Sequence, residues 1–332
     1  MRADAMTKDF PQTLRRAGAA MLLVLLGACS HSTPAPRALP VQVQPGGGYT
    51  VQQSGGGDMQ IVPASTRALD VEPMFAVSSG PPIRAASYLL LDARSGTHLA
   101  GRNAETVRAV ASTQKLVTAL VVLDTGNLDK RVMVTAADVN VEPTRLGLRP
   151  GEVYTRRTLL YAFLIKSAND VANVLARDNA GSISAFAAKM NAKARALGCT
   201  KSNFRNPHGL TVSGQYSTAR DMARVAMVAY RHPVIRDIVR RKYFGFQRAD
   251  GRVVTLENTN ELLGRMPECN GMKTGYTVAS GRCLISTASS GGRDVILVQL
   301  GTKTKYIWDD AQIMMSYGLN KLRGRGGVAF NW

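Results

Sequence analysis

Aromatic side chains are scarce, 6% of the 332 residues, so the chain offers no evident stacking platform for nucleic-acid bases. Acidic residues are also few, 23 against 42 lysines and arginines, and the formal net charge is +19. The basic residues are scattered rather than gathered in a run, which argues against nucleic acid and suits a broad anionic surface such as a wall polymer or membrane headgroups. Only four cysteines occur, at positions 29, 199, 269 and 283, and no ligand spacing suggests a metal site. No internal repeat is visible. No apolar run approaches the roughly twenty residues that a membrane-spanning helix needs.

The apolar run nearest the N-terminus, Ala17 to Leu26, follows Arg2, Lys8, Arg15 and Arg16, the layout of a secretory signal. It ends in Leu26-Gly27-Ala28-Cys29, which resembles a bacterial lipobox; cleavage before Cys29 and lipidation of its thiol would tether the protein to a membrane surface, and an ordinary signal cut near Ala28 is the alternative. Loss of residues 1–28, with four basic and two acidic side chains, leaves a net charge of +17. Export implies an oxidising compartment. With Cys29 lipidated, three cysteines remain, so at most one internal disulfide can form: either Cys269 pairs with Cys283 or all three stay as buried thiols.

Residues 29–82 are rich in Pro, Gly, Gln and Ser, include Gly46-Gly47-Gly48 and Gly55-Gly56-Gly57, and read as a disordered tether. The folded part is expected over 83–322, with a short tail at 323–332. Ala85 to Asp92 and Thr97 to Ala100 flank the turn signal Arg94-Ser95-Gly96 and predict a β-hairpin. Ser112 to Leu123 has the period of a buried helix. Leu159 to Leu175, Ser184 to Leu197 and Thr218 to Tyr230 predict further helices. Asn270 to Tyr276, Arg282 to Ser289 and Asp294 to Gly301 predict strands, and Asp309 to Leu322 a final amphipathic helix. Strands at both ends with helices between them suggest one antiparallel sheet, closed by distant segments, with a helical insertion.

Three short motifs occur in order: Ser112-Thr113-Gln114-Lys115, Ser167-Ala168-Asn169 and Lys273-Thr274-Gly275. Each alone is weak; a Lys-[Ser/Thr]-Gly triplet arises by composition in about one such chain in ten. Their order and placement carry more. Ser112 falls where the buried helix begins, where free N–H groups and the helix dipole favour developing negative charge. Lys115 follows one turn later on the same face. A serine hydroxyl becomes nucleophilic only when a base takes its proton, and a lysine serves only if burial or a nearby cation such as Lys273 lowers its pKa. A helix cap at Ser112 with a solvated Lys115 is the plainer alternative. On a strand, Lys273 and Gly275 share a face; the glycine lets a substrate backbone lie close, and lysine and threonine can hold a carboxylate. Ser167 and Asn169 lie in a polar break of an apolar helical stretch, which marks a helix boundary or offers a hydroxyl and an amide to a cleft.

These motifs, with Tyr88-Leu89-Leu90-Leu91-Asp92, Asn206-Pro207-His208-Gly209-Leu210, Ser217 to Ala223 and Tyr276-Thr277 in the same order, make the chain resemble the low-molecular-weight penicillin-binding proteins, the serine D-Ala-D-Ala carboxypeptidases of peptidase type S11, over roughly residues 83 to 322. The resemblance implies an α/β (α+β) fold of the β-lactamase/transpeptidase-like type: a five-stranded antiparallel sheet flanked by helices, with a helical subdomain and the active site between them. It implies that Ser112 is acylated, Lys115 is its base, Ser167 relays a proton, and Asn169, Lys273, Thr274 and Gly275 bind substrate. The N–H groups of Ser112 and Tyr276 would form the oxyanion hole. The implied partners are peptidoglycan stem peptides ending in D-Ala-D-Ala, β-lactam inhibitors and, through Cys29, a membrane, on the periplasmic or wall side; no cofactor is implied.

Two departures stand out. Gln114 occupies a position where many members have threonine, and little chain follows the catalytic region, where many members carry a further β-rich domain. A class A β-lactamase fits less well, since no Glu-x-x-Leu-Asn follows Ser167. A DD-endopeptidase, or a non-catalytic wall-binding or penicillin-sensing module, are the alternatives. His208 sits in a turn-like segment without an evident aspartate partner and reads as structural.

Overall fold

The computed structural model describes residues 49–53, 59–63 and 80–325. Residues 47–332 form one unit; the other, residues 1–46, lies outside the described residues, and with it the expected signal segment and Cys29. Within the stretch read as an unstructured tether, β1 (Tyr49–Gln53) and β2 (Met59–Pro63) pair antiparallel. Tyr49, Thr50, Val51, Ile61 and Val62 are strand-favouring residue types.

β3 (Ser87–Asp92) and β4 (His98–Arg102) form the expected hairpin. Its turn is set by Asp92, whose carboxylate accepts from the Arg94 N–H and the Ser95 hydroxyl at 2.9 and 2.8 Å. A 3₁₀ turn, Ala111–Gln114, leads into α1 (Lys115–Asp124). Then come β5 (Arg131–Met133), α2 (Ala136–Val139), β6 (Val153–Thr155), α3 (Arg156–Lys166), α4 (Asn169–Ala180) and α5 (Ile183–Ala196). α6 (Ala219–Arg231), α7 (Pro233–Val239) and the hairpin of β7 (Tyr243–Gln247) and β8 (Val253–Glu257) follow. The chain closes with β9 (Cys269–Thr277), β10 (Gly281–Ser290), β11 (Arg293–Thr302) and α8 (Ile307–Arg325).

Five strands form the central antiparallel sheet in the order β4-β3-β11-β10-β9. Its centre joins the two ends of the folded chain, with Leu90 opposite Leu297. Alternation sends Tyr88, Leu90, Leu284, Val295 and Leu297 to one face, where Met314 and Met315 of α8 pack on them. Leu89, Leu91, Ile285, Ile296 and Val298 go to the other, against α1 and the helical layer. Because both faces are covered, these strands read as apolar runs rather than as alternating patterns.

The stretch 159–175 is two helices. Ser167, at φ +63°, ends α3 in the left-handed region, and Asn169 begins α4. α8 continues past Leu322 to Arg325, so the first residues of the expected tail are helical. Cys199, Cys269 and Cys283 are free and buried. Cys269 lies opposite Ala288 and Cys283 opposite Gly275, which separates the two along β9 by about 20 Å, too far for a disulfide. No helix among the described residues is long and apolar enough to cross a membrane.

Gly318 is where α8 comes closest to the sheet: an added Cβ would meet Leu90 and Val295 side chains at 3.0 and 3.1 Å. Gly318→Val is therefore expected to lower the unfolding free energy by roughly 1–3 kcal/mol through overpacking, measured by urea denaturation.

Candidate active site

The site forms where the 3₁₀ turn bearing Ser112 meets the edge strand β9. Ala111, just before the serine, is left-handed at φ +47°, which turns the chain sharply into α1. Two glycines make room for that turn. A Cβ on Gly275 would lie 2.8 Å from the Ser112 nitrogen, and one on Gly209, at φ +92°, would overlap the Ala111 carbonyl. Gly275 thus serves the approach of the serine turn to the strand, a constraint different from the expected approach of a substrate backbone. Beside them is a cavity of about 320 Å³ lined by Ser112, Ser167, Asn169, Thr274, Gly275 and Tyr276, with further residues from both the sheet and the helical layer.

Lys115 is fully buried, and its Nζ lies 2.7 Å from Ser112 Oγ, 2.8 Å from Asn169 Oδ1 and 2.6 Å from the His208 carbonyl. Burial foremost, then the Lys273 charge, hold its amine well below the usual lysine range, against the opposing pull of Asp170. Desolvation penalises the ammonium form. The Ser112 hydroxyl also lies 3.2 Å from the His208 carbonyl.

His208 meets the serine and lysine through this backbone carbonyl. Its ring Nδ1 accepts from the Leu210 N–H, and burial brings its pKa down to about 3. The loop that presents the carbonyl is braced by Asn206, which accepts from the Gly209 N–H and donates to the Leu210 carbonyl. Gln114, the departure from the family pattern, is buried and donates to the Asn206 carbonyl at 2.6 Å. It joins the serine turn directly to this loop.

Asn169 uses both ends of its amide. The oxygen meets Lys115, and Nδ2 donates to the Glu142 and Pro143 carbonyls, each at 3.0 Å. Asp170, wholly buried, accepts N–H bonds from Leu146, Gly147 and Leu148 at 2.9 to 3.2 Å. Together they pin the loop whose Pro143 and Thr144 form one wall of the cavity. Ser167 also lines it.

On β9, Lys273 is 1% exposed and donates to the Thr274 carbonyl at 3.0 Å. It is not among the residues lining the cavity; burial brings its pKa to about 7. Thr274 does line the cavity, and its hydroxyl lies 2.6 Å from that of Thr259. The motifs left several contributors unmarked: the His208 carbonyl, Thr259, the 143–144 wall, Arg282 and Trp308. Asn206 to Leu210 was a visible family segment, but nothing in it indicated that a main-chain oxygen is the contact. Among the described residues, no group of three or more His, Cys, Asp or Glu side chains is placed to hold a metal.

A serine hydroxyl against a buried lysine of lowered pKa, between a helical layer and a sheet edge, defines the class: a serine–lysine acyl-transfer site. The family model described as peptidase S11, D-alanyl-D-alanine carboxypeptidase, matches residues 74–304. The chain belongs to that family. It is 35% identical over 257 residues to the D-alanyl-D-alanine carboxypeptidase DacB2 of Mycobacterium tuberculosis, across 75% of this chain and 87% of that protein. It is 30% identical to the D-alanyl-D-alanine endopeptidase of Escherichia coli, across 75% and 81%. Some curated carboxypeptidase relatives are longer, and the chain spans 58% to 62% of them. The crystal structure of the Streptomyces K15 DD-transpeptidase superposes with a TM-score of 0.69 at 30% identity, over 73% of this chain and 99% of that one.

The tight contact at Gly275 makes a specific prediction. Gly275→Ala displaces the serine turn and is expected to slow labelling by a fluorescent penicillin about a hundredfold. Gly324→Ala, whose methyl group meets nothing within 4 Å, should label at the parental rate.

Proposed function

We propose that the chain is a serine DD-carboxypeptidase in which Ser112 attacks the carbonyl of the penultimate D-alanine of a peptidoglycan stem peptide and Lys115 takes its proton. The observation that carries this is the surroundings of the Lys115 amine. A neutral amine has two N–H bonds and one lone pair. Asn169 Oδ1 and the His208 carbonyl can accept only N–H bonds, which leaves the lone pair for the third neighbour, the Ser112 hydroxyl at 2.7 Å.

The remaining roles follow from position. Attack forms a tetrahedral intermediate whose oxyanion is met by the N–H groups of Ser112 and Tyr276. Ser167, on the same cavity, relays the proton to the departing nitrogen, free D-alanine leaves, and water then hydrolyses the Ser112 ester. A β-lactam undergoes the same attack, but its ring nitrogen stays attached after opening, so nothing diffuses out and the ester persists. Lys273 acts on Lys115 as a neighbouring cation, and Gly275 admits the serine turn. Leu26-Gly27-Ala28-Cys29 supports lipidation at Cys29, tethering an exported enzyme to a membrane.

The direct test is D-alanine release from a diacylated D-Ala-D-Ala peptide. The parent chain should release it and Ser112→Ala should be slower by roughly a thousandfold or more; release that survives the substitution would sink the reading.

The pH profile tests the base. Protonated Lys115 cannot accept a proton, so acylation by benzylpenicillin should fall as pH drops. The Lys273 charge disfavours that protonation; its loss raises the Lys115 pKa. Lys273→Met is therefore expected to move the acid limb to higher pH, most visibly below pH 7, where Lys273 itself is charged. A limb that stays in place would remove Lys273 from this role.

A further inference from the structure

The proposed reaction leaves open what recognises the anionic end of the substrate. Lys273 is occupied by the Thr274 carbonyl and withdrawn from the cavity surface. A different cation lines the cavity. Arg282 starts β10 directly opposite Tyr276, with its guanidinium carbon 5.3 Å from the Tyr276 ring centroid. It shares the cavity wall with Ser112, Thr274, Tyr276 and Thr277.

Several described arginines lack a carboxylate partner, but Arg102, Arg108 and Arg248 donate instead to backbone carbonyls or a serine hydroxyl. Arg84, Arg156 and Arg177 each pair with an aspartate, Asp310, Asp178 and Asp138. Among the described residues no carboxylate forms an ion pair with Arg282, and its Nε is buried without a hydrogen-bond partner. A buried donor left unsatisfied is destabilising, and a planar guanidinium fork matches a carboxylate with two parallel bonds. The cation–π contact with Tyr276 holds the guanidinium at the cavity.

We propose that Arg282 recognises the free α-carboxylate of the leaving residue, so that the enzyme discriminates a substrate ending in a carboxylic acid from the same substrate ending in an amide. The inference rests on the proposed reaction and deepens it. It moves the carboxylate contact from Lys273 to a residue outside the three motifs, on the neighbouring strand. Thr274, on the same wall, supplies a hydroxyl beside it.

The test compares kcat/KM for a diacylated D-Ala-D-Ala peptide and for its C-terminal amide. The parent protein should prefer the acid, and Arg282→Gln should lower the acid-to-amide ratio about tenfold to a hundredfold, the loss expected for a charge-assisted pair. The change should fall on KM for the acid more than on kcat. Arg282→Lys, which keeps the charge without the fork, should recover part of the ratio. A structural defect slows both substrates alike and leaves the ratio unchanged; that result overturns the Arg282 assignment while the reaction stands. A parent protein that cleaves neither peptide and is not acylated by benzylpenicillin overturns the reaction and this inference with it.

Discussion

A lysine amine with no access to water cannot easily stay charged, and the site is built around that constraint. Lys115 is enclosed by the helical layer, and its Nζ is met by three oxygens at 2.6 to 2.8 Å. Those oxygens satisfy the polar group, while desolvation and the Lys273 charge work against protonation. Without the oxygens the amine would be an unsatisfied buried polar group; without the burial it would be an ordinary solvated ammonium. Much of the surrounding architecture serves to deliver the three oxygens.

One oxygen comes from the turn before α1, one from the first residue of α4 and one from the backbone of the loop after α5. Each segment is fixed by a separate device. Gly275 and Gly209 give the Ser112 turn room, Asp170 fastens the wall loop by N–H bonds, and Asn206 with Gln114 holds the His208 carbonyl. Each is local and inexpensive, and none reacts with anything. The sheet contributes the other wall and, through β9, keeps Lys273 near enough to bias the Lys115 amine.

The two cations of the β9 and β10 edge differ in kind. Lys273 is buried, and burial brings its pKa to about 7, so its charge varies with pH near neutrality. Arg282 carries a planar fork of N–H donors, and it lines the cavity. A buried amine suits the tuning of a neighbouring base, whereas a planar donor fork suits the recognition of a carboxylate.

Ser112, Lys115, Ser167, Asn169, Lys273, Thr274 and Gly275 could be singled out from the sequence because short motifs keep chemistry-bearing side chains at fixed spacings. The sheet strands, α5 and α6 were legible because their apolar period persists over enough residues. β5, β6, α2 and α7 were not, since segments of three to seven residues carry too little pattern. The left-handed Ser167 divided one apolar stretch into two helices. What the sequence by itself determined was the set of candidate site side chains and the family they resemble, because both depend on residue identity and order. Only the tertiary structure decided that a main-chain carbonyl of His208 holds Lys115, that Gly275 accommodates the serine turn, and that Arg282 rather than Lys273 borders the cavity. Backbone oxygens, close approaches and the facing of a side chain arise when distant segments pack, and no residue type records them.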